Sequence, residues 1–195
     1  MKRRILGAVA IAVLVLAAAG AFAAPAAPAF KNGGIEAQVG IGFGYYGYVG
    51  STSIPPIVAG AEYQVLVAPQ VPLSFGLLAG FTSSSDKVDF GGGNSYTDTV
   101  TFFLFGGRVS YHFVELLKVP NLDTYAGLML GYAIASVSSS GTGIYANGGI
   151  PTVTAGGFAY GIYAGARYYF TPNIGIYGEL GYSFGYINAG VAFKL

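Results

Sequence analysis

The sequence contains no cysteine and no tryptophan, and it is poor in charge. Asp, Glu, Lys and Arg together make up 9% of its 195 residues, against roughly 25% in ordinary soluble domains. Without cysteine, a disulfide scaffold and thiolate metal sites are excluded. A chain with so little charge lacks the surface a soluble domain needs. After residue 24 it also lacks any apolar run of about 20 residues, so that part contains no membrane-spanning helix. In lipid every backbone polar group must find a partner within the protein, which leaves a closed β-barrel as the membrane architecture open to it. What is abundant fits that architecture: 32 Gly, 16 Tyr and 14 Phe.

The N-terminus reads as an export signal. Lys2, Arg3 and Arg4 form a positive n-region, residues 5–16 an apolar h-region, and Ala21-Phe22-Ala23 a small-x-small cleavage site. A signal peptide over 1–23 is expected, followed by a Pro/Ala linker over 24–33 and a barrel domain over 34–195. Loss of 1–23 removes three of the nine basic residues and leaves six against eight acidic, a formal charge of −2. No nucleic-acid partner is expected from that balance.

From residue 34 onward, apolar residues alternate with polar or small ones at period two, the signature of strands with two different faces. Eight segments show it: 34–46, 57–68, 73–82, 99–113, 122–132, 156–170, 174–184 and 186–195. Each is about ten residues, enough to cross a bilayer at a tilt, and their number is even. One parity carries Ile35, Val39, Tyr63, Phe75, Leu77, Phe105, Leu128, Ile162, Leu180 and Val191; the other is rich in glycine and holds almost all the charge. Connections alternate between short (69–72, 114–121, 171–173) and longer (47–56, 83–98, 133–155), with a tight last hairpin near Gly185. Aromatic residues gather near strand ends, where two girdles are expected: Tyr45, Tyr46, Tyr111, Phe113, Tyr168, Phe170, Tyr182 and Tyr186. A soluble barrel with this pattern turned inward would have an exterior too poor in charge to stay in solution.

The chain therefore resembles the small outer-membrane β-barrel superfamily of opacity-like, OmpA- and OmpX-type proteins, over residues 34–195. The end of the chain, Asn188-Ala189-Gly190-Val191-Ala192-Phe193-Lys194-Leu195, is similar to the C-terminal assembly signal of such barrels, with Gly190, Phe193 and Leu195 at its characteristic positions. Family members often end in an aromatic residue, and this chain ends in leucine. The resemblance implies an all-β, eight-stranded antiparallel up-and-down transmembrane barrel in a bacterial outer membrane, with both termini periplasmic. It implies outer-membrane lipid and the barrel-assembly machinery as partners.

Two motifs suggest chemistry and fail on context. Gly42-Phe43-Gly44-Tyr45-Tyr46-Gly47 fits G-x-G-x-x-G, but no helix opens after it to receive a pyrophosphate. Gly181-Tyr182-Ser183-Phe184-Gly185 fits G-x-S-x-G, but a strand follows where a hydrolase needs a helix. The sole histidine, His112, falls at the other end of the barrel register, on the order of 25 Å from Ser183. No catalytic residue, cofactor or metal is expected. On the lumen parity lie Glu36, Glu62, Arg108, Asp123, Arg167, Glu179 and Lys194. An eight-stranded interior is just wide enough for side chains to fill, so these charges must pair, as an ion-pair plug or as the gate of a narrow pore. Further up, Gly40, Gly42, Gly44, Gly80, Gly131, Gly157 and Gly161 leave room for a cavity. The expected function is non-enzymatic: a structural or surface-interaction barrel. The alternatives are a narrow channel or small apolar-ligand binder using the glycine-lined upper lumen and, more remotely, a lipid-modifying enzyme.

Overall fold

The computed structural model describes residues 29–44, 51–114, 119, 121–146 and 152–195. The expected signal peptide, residues 24–28 of the linker, and Tyr45 and Tyr46 of the expected girdles lie outside the described residues. Eight strands follow one another: β1 Ile35–Phe43, β2 Ser51–Ala68, β3 Val71–Gly91, β4 Asn94–His112, β5 Leu122–Thr142, β6 Val153–Tyr169, β7 Ile174–Tyr182 and β8 Ile187–Lys194. Every strand pairs antiparallel with its sequence neighbours, and β8 closes on β1 from Glu36↔Lys194 to Phe43↔Ile187. The barrel has no free edge along its closed wall, as lipid demands.

The period-two pattern selects the two faces. Along β6, Gly161, Tyr163, Arg167 and Tyr169 are buried, while Phe158, Tyr160, Ile162 and Ala164 are exposed. Leu77 on β3, Leu130 on β5 and Leu180 on β7 stand outward in the same way, each more than 60% exposed. An exterior of exposed Leu, Ile and Phe around a closed ring, with the charged residues inside, is a transmembrane β-barrel. The outward aromatics cluster toward both ends: Tyr111 lies beside Phe113 with ring centroids 5.2 Å apart, and Tyr182 lies between Tyr160 (5.8 Å) and Tyr186 (6.4 Å).

Three expectations about connections are corrected. Residues 83–98 and much of 133–155 are strand rather than loop. β3 and β4 continue as one hairpin to a two-residue Gly92-Gly93 turn, and β5 continues beside β4 as far as Thr142. Gly92 and Gly93 have φ of 62° and 81°, the pair of left-handed conformations that a type I′ hairpin turn needs. The polar stretches pair through hydroxyls across strands: Ser85–Thr99 3.0 Å, Ser95–Thr142 3.0 Å, Ser136–Thr154 3.0 Å, and Ser139 donating to Asp98 at 2.6 Å. Such cross-strand pairs contribute roughly 0.2–1 kcal/mol each. Serine and threonine runs, whose polarity suggests loop, thus extend the sheet past the apolar belt. The second correction concerns β2, which begins at Ser51 and passes Pro55 and Pro56 through register shifts between Thr52 and Ile57. A bulge is where a strand tolerates proline, which has no amide to donate. Third, the segment expected over 174–184 ends as a strand at Tyr182, and the turn beyond it folds Phe184 into the lumen.

The lumen core has an apolar layer toward the long-hairpin end and a charged layer toward the short-turn end. The apolar layer is Val58, Leu78, Leu104, Met129 and Phe184, joined below by Tyr125 and Tyr163. Side chains thus fill part of the space that the upper-lumen glycines leave. The Phe184 ring lies against Gly80, where an added Cβ would come within 2.6 Å of it; Ser183 crowds Gly161, and Pro56 and Asn188 crowd Gly42. Gly80 makes room for the Phe184 ring and Gly40 for the Tyr177 side chain.

Candidate functional site: the charged lumen layer

Inward positions on six strands converge near the short-turn end. Glu36 comes from β1, Glu62 from β2, Arg108 from β4, Asp123 from β5, Arg167 from β6 and Glu179 from β7, and all are buried. Strand alternation places each on the lumen side, and antiparallel pairing sets their depth: Glu36 lies opposite Glu62 and Asp123 opposite Arg167. Two like charges directly opposed would repel, so Glu36 and Glu62 require a shared cation. Arg167 supplies it. Its Nη1 lies 2.6 Å from Glu36 Oε2 and 3.3 Å from Asp123 Oδ2, and its Nη2 lies 3.2 Å from Glu62 Oε1. Arg108 makes the second bridge, with Nε 2.6 Å from Glu62 Oε1 and Nη2 2.6 Å from Glu179 Oε1.

Tyrosines and amides complete the layer. The Arg108 guanidinium lies 4.1 Å from the centroid of the Tyr163 ring, and the Arg167 guanidinium 4.1 Å from that of Tyr125. Tyr125 donates to Glu179 at 2.9 Å, Tyr169 donates to Glu36, and Arg167 donates to Gln38 Oε1 at 3.0 Å. Charges this deep are tolerated only when paired and hydrogen-bonded, and each carboxylate here has at least two partners. Of the seven lumen charges singled out in the sequence, six form this network. Lys194 lies at the rim opposite Glu36, half-buried, with its ammonium 3.7 Å from the centroid of the Tyr169 ring. Sequence reading missed Gln38, Ser74, Ser110, His112 as a network member, Tyr125, Tyr163 and Tyr169. All lie on lumen parity, so the signal was there; attention to charge alone passes over it.

Among the described residues, His112 carries an arrangement that looks catalytic. Its Nε2 lies 2.9 Å from Ser74 Oγ and its Nδ1 lies 2.7 Å from Asp123 Oδ1, the connectivity of a Ser–His–acid triad. The polarity is reversed. Ser74 donates its hydroxyl proton to Glu62 Oε2 at 2.5 Å, so its oxygen accepts from the histidine, whereas a nucleophile must donate to it. Ser74, His112 and Asp123 have no exposed surface on which a substrate could approach. This chemistry binds strands together across the lumen: Ser74 is on β3, His112 on β4 and Asp123 on β5.

The C-terminal strand completes the ring. Gly190 faces Gly40 where β8 and β1 meet, Phe193 pairs with Ala37 on one side and Ile174 on the other, and the Leu195 amide donates to Ile35 O at 2.9 Å while its side chain is exposed.

No family profile and no curated protein sequence matches the chain. Solved structures of β-barrels show a distant likeness. A de novo designed transmembrane β-barrel is 20% identical, covering 85% of this chain and 98% of its own, with a TM-score of 0.41. The N-terminal β-barrel domain of Pseudomonas aeruginosa OprF is 18% identical over 84% of this chain and 98% of its own, TM-score 0.45. Ail, the attachment invasion locus protein of Yersinia pestis, crystallised with the heparin analogue sucrose octasulfate, is 13% identical over 83% and 93%, TM-score 0.42. All three fall at 20% identity or below with TM-scores of 0.45 or below, and both the fold and the role of each residue rest on the barrel's own geometry.

Proposed function

We propose that this protein is a sealed bacterial outer-membrane barrel that neither catalyses nor conducts, and that serves the envelope as a structural element presenting a sheet at the cell surface. The observation that carries this is the double filling of the lumen, an ion-paired layer below and an apolar layer centred on Phe184 above. The paired charges act as a plug: each holds two or more strands, and none is left to line a water path. In this reading the short turns and both termini of the barrel face the periplasm. The extended β3–β4–β5 sheet, with Val88 and Phe90 exposed on it and Ile144 exposed in the turn just past β5, faces outward, where contact with other surfaces takes place. Gly190 and Phe193 on the last strand, with Leu195 just past it, serve recognition by the assembly machinery, and the outer belt serves outer-membrane lipid. Planar-bilayer recording of the refolded protein tests the seal. A bilayer that stays silent supports it, and discrete conductance steps would overturn it in favour of a channel.

A further inference from the structure

The short-turn end of the barrel is covered by chain that precedes β1. Residues 31–34 form a turn fastened to the end of β2. Gly33 N donates to Gln64 O and Gln64 N to Gly34 O, both at 2.8 Å. Lys31 N donates to the Gln64 side chain and Leu66 N to the Asn32 side chain, again both at 2.8 Å. Gly33 has a φ of 80°, a conformation that side-chain-bearing residues rarely adopt, so the turn depends on glycine at this point. The turn sends the preceding residues back across the mouth. Ala29 is buried against Tyr169, Tyr177 and Ala192, from β6, β7 and β8. The Phe30 ring lies 5.0 Å from the ring of His112 on β4, centroid to centroid, tilted by 56°. A segment anchored on β2 and packed against four strands around the ring spans the opening.

We infer that residues 29–34 form a stopper that closes the short-turn mouth, with Phe30 as the lid over His112. It rests on the sealed-barrel reading and adds a third closure, on the side of the charged layer. The stopper keeps water from the Ser74–His112–Asp123 chain and from Glu36 and Glu62 beside it, which strengthens every ion pair in the layer. It is held by backbone hydrogen bonds and one small apolar contact set rather than by a strand of the wall. It can therefore lift by local opening while the barrel stays closed.

His112 is the only histidine in the chain, so its carbethoxylation by diethyl pyrocarbonate, localised to the His112 peptide by mass and so separated from adducts on lysine and tyrosine, reports this site. In the refolded barrel the reaction should be slow compared with the urea-unfolded chain. Phe30→Ala, and Gly33→Val, which strains the turn, should each speed it by roughly tenfold or more while the barrel keeps its β-sheet circular dichroism. Folded variants that react at the native rate would overturn the stopper. Should the variants fail to fold, amide exchange of the native protein decides. Protection of Gly33 and Leu66 comparable with mid-β2 amides supports the stopper, and exchange at the rate of unanchored loops overturns it. The two readings fail separately. A silent barrel with freely reactive His112 removes the stopper alone, and a conducting barrel with a protected His112 removes the seal alone.

Discussion

The two halves of the lumen solve the same packing problem with opposite chemistry. Toward the short turns, six charges and their tyrosine and amide partners fill the space; toward the long hairpins, Val58, Leu78, Leu104, Met129 and Phe184 fill it. The charged half is cooperative, because Glu62 is shared by both arginines and Arg167 by three carboxylates. Neither arginine can be removed without leaving a carboxylate short of its cation, Glu179 for Arg108 and Glu36 for Arg167. The apolar half is made of contacts that neighbours can partly replace. Two fillings of one tube should therefore differ in how they respond to substitution rather than in how full they are.

The largest expected effect is in the charged half. Arg167→Ala leaves Glu36 without its arginine and takes one of two partners from Glu62 and Asp123, and loss of one partner of a buried pair costs about 3–5 kcal/mol. Urea unfolding of the refolded barrel should show a shift of that size, and a loss under 1 kcal/mol, a rough lower bound for any hydrogen-bonded charge, would mean that the layer is hydrated rather than paired. Next comes the outer wall that both halves share. Ile162 is 63% exposed on the lipid face, and arginine there should cost about 2–4 kcal/mol in bilayer or micelle. A neutral result would place that face away from lipid. In the apolar half, Met129→Leu keeps volume and polarity and should cost less than about 1.5 kcal/mol. A cost equal to that of Arg167→Ala would abolish the distinction between the halves. Lys87→Ala, on the exposed part of β3 beyond the belt, should fall within about 0.5 kcal/mol of the parent and serves as the baseline for the other three.

Much of the charged half is legible in the sequence. Glu36, Glu62, Arg108, Asp123, Arg167 and Glu179 share lumen parity, and antiparallel pairing of neighbouring strands puts residues at equal distance from a turn at equal depth. Tyr125 and Tyr163 share that parity too, but an aromatic residue suits lipid face and lumen alike, so alternation assigns it weakly. Phe184 is not legible at all. It lies past the end of β7, where the turn, not the pleat, decides which way a side chain points. The Ser/Thr segments 83–86 and 136–142 look like loop because polarity on both faces removes the alternating signal, although hydroxyl pairing across strands holds both in the sheet. Ala29 and Phe30 resemble a linker because nothing local in an Ala/Pro stretch specifies the mouth it packs into.

By itself the sequence determined the class, an eight-stranded barrel with lipid outside and charge inside. Period-two alternation and the demand that every buried backbone group be paired leave few other structures for a chain with so little charge. Tertiary structure alone decided what happens inside the tube. Which carboxylate meets which arginine, that the Ser74 hydroxyl turns toward Glu62 and away from His112, that Phe184 occupies the space opened by Gly80, and that residues 29–34 return across the mouth all depend on closing the ring between β1 and β8. Before closure those residues are far apart in sequence, and no local propensity links them. After closure the narrow interior leaves each side chain few neighbours it could have.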